Sequence, residues 1–209
     1  MASGVPSIRD NPRPDLRRKL LDSAEKMFSE QAYEDVRVDD IAADAGVAKG
    51  LVYYHFEGKR GLYAAVLQAT AEDLLARTKP DMSLPFYEGT AAVLDSFISW
   101  ATEVEGFSKT VSNGPGADPA LNAIIDDALG QLVDRMLSGM RDAATVLNIE
   151  DSVDTEVMRL AVKGWVAFVY AVTLDWLVDQ NVPANALRDL YLRALLGSIA
   201  AGRDTSASL

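Results

Sequence analysis

The chain has 209 residues, of which 49% are apolar, and a formal net charge of −11. That length suits one or two domains, and the apolar share can fill a substantial core. There is no cysteine, which excludes disulfides and thiolate metal sites, and the single histidine, His55, leaves no second imidazole for a zinc site or a catalytic base.

The charge is uneven. Residues 1–60 hold 10 Lys/Arg and 11 Asp/Glu, a net of −1, so the other 149 hold 10 and 20, a net of −10. The acidic remainder is unsuited to nucleic acid, whereas the near-neutral first part carries the basic cluster Arg17, Arg18 and Lys19. No apolar run approaches the roughly 20 residues of a membrane span. The N-terminus lacks an apolar signal segment. A cytoplasmic protein with no membrane partner is expected.

Residues 1–14, with Gly4, Pro6, Pro12 and Pro14, read as a disordered arm. Its Arg9 and Arg13 either help to hold DNA or have no role. Asp15 is placed to cap a first helix, in which Leu16, Leu20, Ala24, Met27 and Phe28 recur at core spacing. Residues 31–37 form a polar connection. Residues 38–56, VDDIAADAGVAKGLVYYHF, then read as two short helices joined by a tight turn. Ile41, Ala42 and Ala45 share a face, Gly46 accepts the positive φ of a helix C-terminus, and Val47, Val52 and Phe56 continue the apolar side. The small pair Ala42 and Gly46 lets two helices approach closely at a steep angle. The second helix, about 49–55, turns Lys49, Tyr53, Tyr54 and His55 outward, side chains suited to phosphate and base edges.

The turn Glu57-Gly58-Lys59 leads into a fourth helix, 61–79, carrying Leu62, Tyr63, Val66, Leu67, Leu74 and Leu75 and ended by Pro80. Residues 80–86 are a linker. A helix over 87–105 follows, interrupted by Gly106, with a short helix at 107–111 and a loop at 112–116. Asp118-Pro119 reads as an N-cap and first helical position, opening one long helix to Leu147. The eighth helix, 153–179, is apolar all round at its centre, GWVAFVYAVTL, and so is buried on more than one side. The ninth opens at Pro183, with Leu187, Leu190, Tyr191, Ala194, Leu195 and Ile199 on a broad apolar face. Either both surfaces are internal core, or they build a four-helix dimer interface, two helices from each subunit.

The run GVAKGLVYYHFEGKRGLYAAV resembles the hallmark segment of tetracycline-repressor-like (TetR family) transcriptional regulators, and the likeness extends from about Leu16 to Leu67. It implies an all-α fold: a helix-turn-helix DNA-binding domain over 15–60, then a helical ligand-binding and dimerisation domain over 61–209, with helix 61–79 connecting both. It implies a homodimer through the eighth and ninth helices on a double-stranded palindromic operator, released by a small, largely apolar effector. Residue by residue, it places Lys49, Gly50, Leu51, Tyr53, Tyr54, His55 and Lys59 at DNA-facing positions. Tyr53 at this place can also support the core. Family members often carry Ser or Thr where Ala48 stands, Thr where Leu51 stands, and a capping Thr where Val38 stands.

Phe97, Trp100, Phe107, Met136, Met140, Trp165, Phe168 and Tyr170 are candidate lining for an effector cavity among the fourth to eighth helices, suited to a flat or long apolar molecule. Each alone reads more simply as core. A tetracycline–metal site that uses His is not supported, because the segment expected to bind ligand has none. No P-loop, GxGxxG, HExxH or GxSxG occurs, so an enzyme is not expected and neither metal nor cofactor is assigned. Asp126-Asp127 are helical neighbours pointing to different faces and so form no acid/base dyad. Asp175 either bonds across a dimer, holds a polar ligand group or emerges into solvent. The competing reading is a helical small-molecule carrier that does not bind DNA, which the acidic charge favours weakly.

Overall fold

The computed structural model describes residues 12–104 and 118–208. Among these there is no strand. The helices are α1 (Pro12–Glu30), α2 (Val38–Asp44), α3 (Lys49–Phe56), α4 (Lys59–Arg77), α5 (Phe86–Glu103), α6 (Pro119–Asp142), α7 (Ala144–Leu147), α8 (Glu156–Asp179) and α9 (Ala184–Ser206). The chain divides within α4, into a compact unit ending at Val66 and a second beginning at Leu67.

The first unit is built on α1, which buries Leu20, Ala24 and Phe28 completely or nearly so. The helix begins at Pro12, not after Asp15, which corrects the arm expected over 1–14 at its last three positions. Proline is tolerated there because first-turn N–H groups have no helical acceptor. Residues 1–11, Arg9 among them, lie outside the described residues.

In α2 the capping position is Arg37, in extended backbone without a side-chain cap bond, and Val38 is the first helical residue, not the cap. The helix ends as its sequence demands. Gly46 takes φ 66°, its N–H bonds the Ala43 carbonyl at 3.1 Å, and the Val47 N–H bonds the Ala42 carbonyl at 2.9 Å. This paired closure needs a residue free of a Cβ penalty at the left-handed position. Helix α3 starts after Ala48, whose side chain also offers no cap, and buries Val52 and Phe56. The following turn is tight: a Cβ at Gly61 would lie 1.8 Å from the Phe56 carbonyl oxygen, so only glycine lets α4 leave α3 at this angle.

Lys59, the first residue of α4, departs from the exposed position expected of it. It is half-buried, and its ammonium donates to the carbonyls of Tyr33 at 2.7 Å, Glu34 at 3.2 Å and Val36 at 2.9 Å. An ammonium has three donors, so all are engaged. Its Nζ also stands 4.5 Å from the centre of the Tyr33 ring. That ring packs edge-on to Tyr63 and stacks on Phe28. One lysine thus holds the 31–37 connection against α4.

In the second unit α8 packs on α6 and α9, and α5 packs on α9 and α8. The single helix expected over 119–147 is broken at Ala143 into α6 and α7. Asp118 caps α6 as expected, accepting from the Ala120 and Leu121 N–H groups, with Pro119 in the first turn. Thr155 caps α8, so that helix begins three residues later than the expected 153. By length and composition α8 could cross a membrane, with a mean hydropathy of 1.5 over 18 residues, contrary to the expectation that no segment would qualify. It buries Met158, Val162, Trp165, Val166, Val169 and Thr173 against its neighbours. Its polar groups find partners there: the Thr173 and Tyr191 hydroxyls lie 2.7 Å apart, and the Trp165 indole donates to the Tyr191 carbonyl at 2.9 Å.

The C-terminal half of α4 is tied into this unit by three groups. The Trp100 indole donates to Asp73 at 2.8 Å, Arg77 pairs with Glu103 at 2.7 Å, and Arg135 donates to the Leu75 carbonyl at 2.6 Å.

Two stability changes follow from the first unit. Replacing Lys59 with Met leaves three carbonyls without their shared donor, and urea unfolding should show a loss of about 1–2 kcal/mol. Ala48→Ser supplies the missing oxygen at an N-cap already in extended backbone, and the same measurement should show a gain of about 1 kcal/mol.

Candidate nucleic-acid interface and ligand cavity

The outward side of α3 gathers most of the residues expected to face DNA. Lys49 is exposed, and Gly50 has no atom within 4 Å of where a Cβ would stand, so the backbone is open to close approach. Tyr54 is 71% exposed, and half-buried His55 meets its ring edge-on at 4.9 Å. Leu51 is half-buried. Tyr53 is exposed on one side, but its ring leans on the turn after α3: a Cβ at Gly58 would sit 3.5 Å from it. Lys59 belongs with the 31–37 connection instead of standing free on this surface.

The Lys49 ammonium pairs with Asp39 in the first turn of α2, at 2.9 Å, and this hydrogen bond raises the pKa of the lysine. The pair is exposed, and exposed pairs are weak, so a phosphate can replace the carboxylate. Arg17 lies 5.1 Å from the centre of the Phe56 ring, a cation–π contact at the base of α3, while Arg18 and Lys19 are exposed.

The second unit contains a cavity of about 400 Å³ among α4, the 78–85 segment, α5, α6 and α8. Of the residues expected to line it, Phe97, Met136, Trp165 and Tyr170 do. Burial pushes the Tyr170 phenol up to about 12. Trp100, Met140 and Phe168 do not line it. Trp100 and Met140 are fully buried core, the former stacked behind Phe97, and Phe168 packs edge-on to Tyr191. Phe107 lies outside the described residues. The cavity also has lining that the helical apolar pattern did not single out, above all Arg135, Thr78 and Thr90. Arg135 falls next to Met136 on α6, and the three- and four-residue spacing of Leu132, Met136 and Gly139 is the signal in the sequence that points to it.

The surplus apolar surface at the C-terminus is partitioned. Leu187, Tyr191, Leu195 and Ile199 are internal core. Leu195, expected at the centre of a subunit interface, is 2% exposed within one chain. What stays exposed is a stripe along α8, Leu160, Gly164, Ala167, Ala171 and Val178, and, on α9, Leu190, Leu196 and Gly197. Asp175 is exposed at the flank of that stripe, and Asp126 and Asp127 are exposed as well. Among the described residues no group of three or more His, Cys, Asp or Glu is placed to hold a metal ion.

Comparison with known proteins meets this geometry at the same segment. Residues 20–66 match the family model described as bacterial regulatory proteins, tetR family. The HTH-type transcriptional activator FasR of Mycolicibacterium smegmatis is 40% identical over 65 residues, which span 31% of this chain and 30% of FasR. The match therefore covers under a third of that relative's length. The crystal structure of a tetR-family transcriptional regulator from Streptomyces coelicolor superposes with a TM-score of 0.72 at 26% identity, over 93% of this chain and 83% of that one. The regulator FadR from Bacillus subtilis, in complex with stearoyl-CoA, superposes with a TM-score of 0.71 at 19% identity, over 87% of this chain and 98% of that one, a likeness of fold. Residues 20–66 are thus similar to the N-terminal segment of the tetR family of bacterial regulatory proteins, and nearly the whole chain shares the fold of a solved tetR-family regulator.

Proposed function

We propose that this protein is a cytoplasmic, ligand-responsive transcriptional repressor. It binds a palindromic operator as a homodimer and is released by a small, largely apolar effector. The observation that carries the reading is the outward face of α3, where Lys49, open Gly50, exposed Tyr54 and half-buried His55 share one surface inside the family-matched segment. Two such helices in a two-fold dimer enter successive major grooves about 34–36 Å apart. The 15–60 segment is the DNA-binding domain, the 61–209 segment binds effector and partner, and α4 connects them. The cavity supports the effector, since its wall is mostly apolar, with Phe97, Met136 and Trp165 in it. The stearoyl-CoA complex of the structurally similar FadR is in keeping with an apolar effector. Effector and operator then oppose each other by the same factor in both directions, as linkage requires, with a coupling of about 1–3 kcal/mol.

The exposed stripe on α8 and α9 supports the dimer. Its small residues, Gly164, Ala167, Ala171 and Gly197, allow a second copy's helices to come close.

Operator binding tests the main reading. In gel-shift titrations across salt concentrations, Lys49→Ala should weaken binding and lower the salt slope by about one unit for each phosphate that is no longer neutralised. Unchanged affinity at every salt concentration would remove α3 as the reading element. The dimer is tested separately. Ala167→Arg, at an exposed position in the middle of the stripe, should sediment as a monomer with its helical content intact, and a variant that remains fully dimeric would place the interface elsewhere.

A further inference from the structure

Among the described residues the cavity wall holds one cation, and that cation is already in use. Arg135 is the only Lys or Arg among the described residues lining the cavity. It is half-buried, and it donates to the Leu75 carbonyl at 2.6 Å. Leu75 lies in the last turn of α4, where the helix has no N–H of its own left to offer its final carbonyls. Arg135 therefore caps the C-terminus of α4 from the wall of the cavity, with the sign of charge that this helix end prefers. A guanidinium has five donors in a planar fork, and its best partner is an anionic oxygen pair, not a single neutral carbonyl.

Two carboxylates also line the space. Asp81 is exposed and committed locally: it accepts from the Ser83 N–H at 2.9 Å and the Ser83 hydroxyl at 2.7 Å, which hold its carboxyl below the usual range. Asp142 is exposed on α6, two turns beyond Arg135. The inner wall is apolar, with Phe97, Trp165, Val166 and Val169 all buried. A volume of about 400 Å³ suits one small ligand with a single apolar body.

We infer that the effector is an amphipathic anion, a carboxylate or phosphate carried on an apolar body, whose head group takes the Arg135 guanidinium from the Leu75 carbonyl. This rests on the reading of the cavity as the effector site. The apolar body lies against Phe97 and Trp165. The head group removes the donor from the last turn of α4, the helix that begins at Lys59. Ligand chemistry and helix capping then meet on one side chain: a bidentate pair with the head group fixes the plane of the fork toward the ligand and draws it off the Leu75 carbonyl.

The experiment uses the full chain and three probes with the same tail: dodecanoate, dodecanol and dodecyltrimethylammonium. Binding is followed by tryptophan fluorescence, since Trp165 is in the cavity wall. Dodecanoate should bind about tenfold tighter than dodecanol, the size of one charge-assisted hydrogen bond. Arg135→Met should abolish that preference while dodecanol binding is unchanged, which also shows that the cavity survives the substitution. Amide exchange over the last turn of α4 should quicken with dodecanoate and not with dodecanol. Tightest binding by the ammonium probe would overturn the proposal in favour of Asp81 and Asp142. So would equal binding of acid and alcohol, or an acid preference that persists in Arg135→Met. Repeating the titration with operator DNA separates this inference from the switching reading. An Arg135-dependent acid preference with the same affinity in both conditions keeps the seat and removes the switch.

Discussion

Backbone carbonyls beyond the reach of a helical ladder need donors, and in this protein two long cations supply them at the two ends of one helix. Lys59 at the start of α4 serves three carbonyls of the 31–37 connection, and Arg135 serves the Leu75 carbonyl near its end. Neither job requires a full charge, yet each uses one, because a charged donor makes the stronger hydrogen bond. For Lys59 the three carbonyls saturate the ammonium. For Arg135 a single carbonyl leaves most of the fork unused, which is why the two positions differ in what a competing anion can do.

The net charge of −11 argues against nucleic acid when it is read as a single number. Its distribution and geometry remove the objection. Most of the excess lies after residue 60, and on α3 the lysine at the surface is balanced by Asp39, not buried or lost. An exposed pair of this kind costs little to separate, and it keeps the free surface close to neutral. The absent caps at Arg37 and Ala48 have the same character. Both helices of the hairpin begin without a side-chain oxygen on their first N–H groups, so the hairpin depends on Val52, Phe56, Ile41 and the Lys59 tether more than on its own helix signals.

In the second unit the apolar residues of α8 and α9 outnumber what the two helices need to pack on each other. The structure sends one side of each helix to the core, through Trp165, Val169, Leu187 and Leu195, and leaves small residues outside. An exposed Gly or Ala contributes little to aggregation yet allows close approach of another helix. Those small residues lie among the exposed side chains of Leu160, Val178, Leu190 and Leu196.

Several features are legible in the chain alone. The Gly46 turn, the Asp118-Pro119 helix start, the core stripe of α1 and the all-helical class follow from local rules, since each depends on residues within one or two turns of one another. The outward residues of α3 are legible for the same reason, with Lys59 as the exception. Its three carbonyl partners lie 23 to 26 residues earlier in the chain, a distance over which sequence spacing carries no signal. The cavity is half legible. Phe97, Met136 and Trp165 look no different in sequence from Trp100 and Met140, because nothing local separates a core side chain from one facing a void. That distinction depends on whether a neighbouring helix fills the space beyond it. The bond that Arg135 makes escapes the sequence because its partner is a backbone carbonyl 60 residues away. The division of Leu195 from Ala167 is likewise decided by packing: helical periodicity shows α8 apolar all round at its centre and α9 with a broad apolar face, and only the positions of α5 and α6 determine which of that surface is covered.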